Sequence, residues 1–259
     1  MEQPLVETRD ARGVVTLAMN RPQSFNALSE EMLDALQAAL RRLAGDESVR
    51  AVVLAATGKA FCAGHDLKQM IARPELAYYQ DLFARCSRMM LAIRALPVPV
   101  IARVQGLATA AGCQLVAQCD LAVASTEARF AVSGINFGLF CSTPSVPLLR
   151  NVAPKQAMEM LVTGEFIDAQ QAQARGLVNH AVPPGQLDAE VERLVAAIVA
   201  KPRVALAMGK ELFHRQQEMG LEAAYQLAAQ TMAANMMEGC ALEGVTAFTE
   251  KRKPNWTPE

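Results

Sequence analysis

Gln105-Gly106-Leu107-Ala108-Thr109-Ala110-Ala111-Gly112-Cys113-Gln114 and Phe61-Cys62-Ala63-Gly64-His65-Asp66-Leu67 are the two stretches on which the fold turns. Each follows an apolar, β-type run and is rich in small residues, so the chain can bend sharply there and present bare backbone N–H groups. Gly64 can take backbone angles closed to other residues, which lets the His65 N–H face a pocket instead of a ladder. Ala110-Ala111-Gly112 opens a helix, so the Ala111 N–H is one of the first-turn donors without an intrahelical partner, at the positive end of the dipole. Two such donors meeting on one oxygen form an oxyanion hole, worth a few kcal/mol per donor to a developing negative charge. Taken singly, each glycine also reads as a plain sharp turn in an α/β core.

Outward from these turns the pattern is α/β. Val14–Met19, Val49–Ala56, Pro99–Val104 and Leu121–Ser125 read as strands, the second apolar on both faces. Ser29 caps a helix that runs to about Leu43, with Met32, Leu33, Leu36 and Leu40 on one face. Further helices are expected over Leu76–Leu96, ended by Pro97 and Pro99, and over Ala110–Cys119. Strand–turn–helix units recur without a clean sequence period. From Pro154 the pattern is nearly all helical, over Lys155–Thr163, Asp168–Arg175, Leu187–Ala200, Pro202–Met219 and Leu221–Gly239. We divide the chain into a core, residues 1–200, and a helical region, 201–259, too thin to bury itself and therefore docked on the core or on another subunit.

Composition excludes several classes. The 259 residues, 52% hydrophobic, can bury a large core. A net charge of −1 and a pI near 6.3 give no case for nucleic acid or anionic membrane as partner. The six cysteines form no C-x-x-C pair or secreted-type framework, so reduced thiols in the cytoplasm are expected. Met1–Pro4 has neither the basic nor the apolar region of a signal peptide, and polar residues interrupt every apolar run before it could span a membrane. His180 and His214 lack metal-ligand spacing, so no metal is expected.

Together the two turns resemble those of the enoyl-CoA hydratase/isomerase (crotonase) superfamily, closest to the enoyl-CoA hydratase domain-containing subgroup. Asn20-Arg21-Pro22 with Asn26-Ala27-Leu28 is similar to its opening signature, Phe61–Lys68 to its first oxyanion segment and Gly106–Leu121 to its second. Ala172–Val178, Glu250–Pro254 and, for the subgroup, Asn136–Pro144 fit later landmarks, so the resemblance covers essentially the whole chain. It implies an α/β spiral of β-β-α units with a C-terminal helical trimerisation region, a homotrimer or hexamer, and acyl-CoA thioesters as ligands without a separate cofactor. It assigns the oxyanion donors to the backbone N–H groups of His65 and Ala111, with Ala63 reaching the adenine through its backbone and Lys251 reaching the coenzyme A phosphates. Gly64, Asp66, Leu67, Cys141 and Ser142 complete the implied binding site. On their own chemistry, Lys251, Arg252 and Lys253 read as a solvated cluster, Asp66 as a brace for its own turn, and Cys141 and Ser142 as pocket wall.

The departures bear on the reaction. Hydration of an enoyl thioester needs a base for water and an acid for carbon, and the resemblance places a glutamate for each at positions where this chain has Gln114 and Gly134. An amide exchanges no proton near neutral pH, and no acidic residue lies between Glu127 and Glu159. Three expectations follow: a lyase-type enzyme of fatty-acid or acyl-CoA metabolism with non-standard hydratase activity; an acyl-CoA decarboxylase or thioesterase that relies on the hole alone; or a non-catalytic acyl-CoA-binding subunit. The Ala63-Gly64-His65-Asp66 turn, similar to that of some decarboxylases of the superfamily, favours the second.

Overall fold

The computed structural model describes residues 3–256, so residues 1–2 of the Met1–Pro4 segment and residues 257–259 of the helical region lie outside the described residues. β1 (Leu5–Arg9) and β2 (Val14–Met19) form an antiparallel hairpin. α1 (Glu30–Ala44) follows; the Ser29 side chain accepts from the Met32 N–H, acids occupy its first turn and arginines its last, each sign matched to the helix dipole.

From there the chain advances by a repeated step. β3 (Ala51–Ala56) enters a large sheet and β4 (Ala60–Cys62) a small one. After α2 (Leu67–Ala72) and α3 (Leu76–Ala95), β5 (Val100–Val104) and β6 (Leu107–Thr109) repeat the move. After α4 (Ala111–Gln118), β7 (Leu121–Ser125) and β8 (Arg129–Ala131) repeat it again. α5 (Ser142–Asn151), α6 (Pro154–Thr163), β9 (Ile167–Asp168), α7 (Ala169–Ala174), β10 (His180–Val182) and α8 (Leu187–Val199) complete the spiral. The large sheet is ordered β1-β2-β3-β5-β7-β10 and the small one β4-β6-β8-β9. Every ladder is parallel except β1–β2 and β8–β9.

Parallel strands covered on both faces need apolar side chains on both, and every residue of β3 is buried. One core cluster joins Leu17, Leu54 and Phe61 to Leu36 of α1, Met89 of α3 and Leu115 of α4. On the other face of the large sheet, Val53, Ile101 and Val123 meet Leu187, Val191 and Val195 of α8.

The helical region is α9 (Arg203–Gln216), α10 (Leu221–Met236) and α11 (Gly239–Thr249). The single helix expected over Leu221–Gly239 stops at Met236, and a further helix not expected from sequence begins at Gly239. No residue of α9 or α10 is buried, and in α11 only Ala247 is. Among the described residues no helix is long and apolar enough to cross a membrane.

Candidate active site

The first turn is shaped by a segment distant in sequence. Phe25 and Asn26 both hold left-handed backbone angles, and the buried Asn26 amide ties the Arg21 N–H to the carbonyls of Thr57 and Ala60. That cage sets Phe25 and Leu28 beside residues 63–66: the Ala63 N–H donates to the Phe25 carbonyl, Leu28 donates to Gly64, and Asp66 donates back to Leu28. Because this bridge uses the Gly64 carbonyl and the Asp66 N–H, the intervening N–H of His65 points away from Leu28, out of the ladder. Asp66 caps α2 through the Lys68 N–H and lies 3.6 Å from the Arg21 guanidinium, the bracing expected of it.

The second turn stands directly against the first. A Cβ on Gly64, whose φ is +94°, would lie 2.9 Å from the Ala110 methyl and 3.3 Å from the Ala111 nitrogen, so only glycine lets the two turns close. Gly112 is under the same demand, since a Cβ there would fall 2.0 Å from the Cys62 carbonyl oxygen. Ala110 sits at φ +51°, ψ −119°, a conformation that costs a non-glycine residue about 1–3 kcal/mol. Its N–H is held by the Ala131 carbonyl, and the strained bend starts α4 with the Ala111 N–H outside the helix ladder.

Both turns border one cavity of about 360 Å³. Ala63, His65, Leu67, Ala111, Gly134, Cys141 and Ser142 line it, as expected from sequence. Sequence reasoning missed Met70, Phe83, Ser133, Phe137, Leu139 and Phe140, which also line it. The Phe137–Phe140 segment stood in a quoted motif, but nothing in the sequence relates Phe83 on α3 to it. Among the described residues, no Asp, Glu, Lys or Arg lines the cavity.

Gly64, Asp66, Gln114 and Lys251 are not brought to this wall. Gln114 is buried in α4, its Oε1 without a hydrogen-bond partner. Lys251 follows the end of α11 at φ +56°. The departure at 134 goes beyond a missing side chain. A Cβ on Gly134 would lie 2.5 Å from the Leu139 carbonyl oxygen and 2.8 Å from Cys141 Sγ, so backbone and thiol already fill the space a glutamate would use. The Gly134 N–H donates to that sulfur at 3.3 Å.

The titratable groups present are poorly suited to proton transfer. Burial pulls the His65 imidazole down to about 4, against a smaller opposing effect of the Leu28 backbone, so the ring is neutral at physiological pH. Neither ring nitrogen is accessible or makes a well-formed hydrogen bond, and the ring meets Phe83 edge-on at 5.4 Å between centroids. Burial also pushes the Cys141 thiol up, partly offset by the Gly134 N–H, and pushes Cys113 up to about 12. Neither is an activated nucleophile. His180 and His214 pair instead with Glu190 and Asp120, away from the cavity. Among the described residues no cluster of His, Cys, Asp and Glu could hold a metal ion.

Comparison with known proteins agrees with this architecture. The family profile described as Enoyl-CoA hydratase/isomerase matches residues 9–259. Enoyl-CoA hydratase domain-containing protein 3, mitochondrial, of Mus musculus is 44% identical over 256 residues, spanning 99% of this chain and 85% of that protein. The Homo sapiens protein of the same name is 43% identical over 251 residues, 97% of this chain and 83% of its own. The mitochondrial designation of these relatives differs from the cytoplasmic expectation for this chain. Among solved structures, an enoyl-CoA hydratase of Mycobacterium smegmatis is 67% identical, with a TM-score of 0.98 over 98% of this chain and 99% of that one. The human domain-containing protein 3 superposes with a TM-score of 0.94 at 43% identity, over 98% and 100% of the two chains. The chain belongs to the enoyl-CoA hydratase/isomerase family.

Proposed function

We propose that this protein binds acyl-CoA thioesters and polarises the thioester carbonyl between the N–H groups of His65 and Ala111, without the carboxylate pair that standard hydration requires. The reading is supported by two turns packed against each other, each bearing an N–H outside its ladder, at a cavity whose wall among the described residues holds no carboxylate. Such donors stabilise an enolate or a tetrahedral oxyanion in a dry site, and a reaction whose charge develops on that one oxygen needs little more. Decarboxylation is of this kind, because loss of CO2 leaves the enolate without the need for a base; thioester hydrolysis still has to remove a proton from the attacking water, and addition of water across a double bond needs both a positioned base and an acid. The wall fits an uncharged acyl chain, and the coenzyme A portion lies outside the cavity. The Ala63 N–H is held by Phe25, so it is the Ala63 carbonyl that would meet the adenine. Lys251 would reach the phosphates from another copy of the chain in a homo-oligomer.

Calorimetric titration with butanoyl-CoA and hexanoyl-CoA, alongside a crotonyl-CoA hydration assay, tests the reading. We expect binding of both saturated thioesters and hydration at least about 10²-fold below that of an enzyme with both carboxylates, the usual contribution of general acid–base catalysis. Hydration at an ordinary enzyme rate, or absence of binding to any acyl-CoA, overturns it.

A further inference from the structure

The Thr109 and Ser133 hydroxyl oxygens lie 2.7 Å apart, joining the end of β6 to the residue before Gly134. Each hydroxyl carries one proton and two acceptor sites. The pair uses one proton between them, and neither oxygen makes another hydrogen bond among the described residues. One proton is therefore left over, on whichever oxygen accepts.

Burial decides which one that is. Thr109 is 8% exposed and does not line the cavity, so a spare proton there would face packed protein with no acceptor. Ser133 lines the cavity, so a spare proton on it can be offered to whatever enters. The lower-energy arrangement has Thr109 donating to Ser133 and Ser133 donating into the cavity, a chain in which the first bond polarises the second. A ligand that fills the cavity displaces water, after which the proton is either given to the ligand or left unsatisfied. No other side chain among the described residues takes that proton, since the Ser133 hydroxyl meets only Thr109.

We infer that Ser133 is a specificity-determining residue that donates its hydroxyl proton to an oxygen carried by the ligand's acyl group, close to the thioester carbonyl. The placement follows from the sheet: Thr109 is two residues before Ala111, and β6 and β8 pair in register at Thr109 and Ala131, two residues before Ser133. Ser133 thus stands one strand over from the oxyanion donor, within reach of the first carbons beyond the carbonyl. The ligand class is an oxo- or hydroxy-substituted short acyl thioester. This inference rests on the acyl-CoA reading above.

Calorimetry compares butanoyl-CoA with 3-oxobutanoyl-CoA and 3-hydroxybutanoyl-CoA, on the intact chain and on S133A and S133T. One neutral hydrogen bond predicts that at least one oxygenated ligand binds roughly threefold to tenfold more tightly than butanoyl-CoA. The ratio is the readout, because a general weakening of the site moves all three ligands together. Ser133→Ala should bring the ratio to about one, and Ser133→Thr, which keeps the hydroxyl, should restore it. The inference is overturned by equal binding of all three ligands, or by a preference that survives Ser133→Ala. Failure of every thioester to bind overturns the acyl-CoA reading itself.

Discussion

The proposed function uses the His65 backbone; its ring nitrogens are buried, and that burial carries a cost that depends on pH. An unfolded histidine takes up a proton near pH 6.5, whereas the buried ring does so only near 4. Between those values the unfolded chain binds more protons than the folded one, so stability must fall as pH drops from about 6.5 to 4. The full difference is about 3 kcal/mol. His65→Phe, which keeps an aromatic edge against Phe83, should flatten this part of the profile. Urea midpoints of the two proteins between pH 7 and pH 4 test it, and parallel curves would show that the ring is solvated. Gly134 makes a comparable point about sterics. A glutamate there would require the Leu139 carbonyl and the Cys141 thiol to shift, since its Cβ would lie 2.5 Å from the one and 2.8 Å from the other. The difference at this position lies in the course of the chain from 134 to 141 and not merely in one side chain.

At the scale of elements, a lysine with its side chain only 7% exposed attaches the helical region to the spiral. Lys210 of α9 gives its three protons to the carbonyls of Ile93 and Val98 and, at 2.6 Å, to Asp120 Oδ2. Asp120 stands between the end of α4 and the start of β7 and also receives the Val100 N–H and His214 Nε2. Arg94 near the end of α3 adds a bond to the His214 carbonyl and an ion pair to Glu218. Burial pulls the Lys210 pKa below the usual lysine value and the Asp120 charge opposes that pull, so the ammonium and carboxylate are interdependent. Lys210→Met would fill the space but leave Asp120 without its cation, at a cost of about 3–5 kcal/mol. Urea unfolding measures this; a loss below about 1 kcal/mol would show that α9 is held mainly by apolar contact.

At the scale of the whole molecule, the helical region is unfinished as a single chain. Tyr225, Met232, Met237 and Phe248 are 71%, 72%, 80% and 84% exposed, far more apolar surface than a solvated set of helices needs to show. A further copy of the chain is the expected cover, which is why a homo-oligomer is part of the proposed function. Met237→Glu combined with Phe248→Glu should lower the solution mass to that of the monomer in light scattering without loss of helical signal. A mass unchanged by the double substitution would place the interface elsewhere.

Much of the molecule was legible from sequence alone, because local physics wrote it there. Ser29 with its following acids marks α1, and the unbroken apolar run of β3 declares a strand covered on both faces. Gly64 and Gly112 are legible for a related reason: no other residue allows backbones to approach so closely, so the two turns carry their signature openly. What stayed hidden depends on partners far away in the chain. β4, β6 and β8 are three residues long, too short for any pattern, and exist because the larger sheet brings them into register. α5 is disguised by Pro144 and Pro147. The cavity wall draws Phe83 from α3 and Ser133 and Phe140 from the segment between β8 and α5, and no spacing in the sequence relates α3 to that segment. The sequence by itself determined the fold class, the two small-residue turns and the residue types at 114 and 134, all properties of residue type and local backbone. Only the tertiary structure decided that a side chain at 134 would meet Leu139 and Cys141, that the His65 ring nitrogens are buried, and that the Thr109 and Ser133 hydroxyls meet, because each depends on which distant atoms come within a few ångströms.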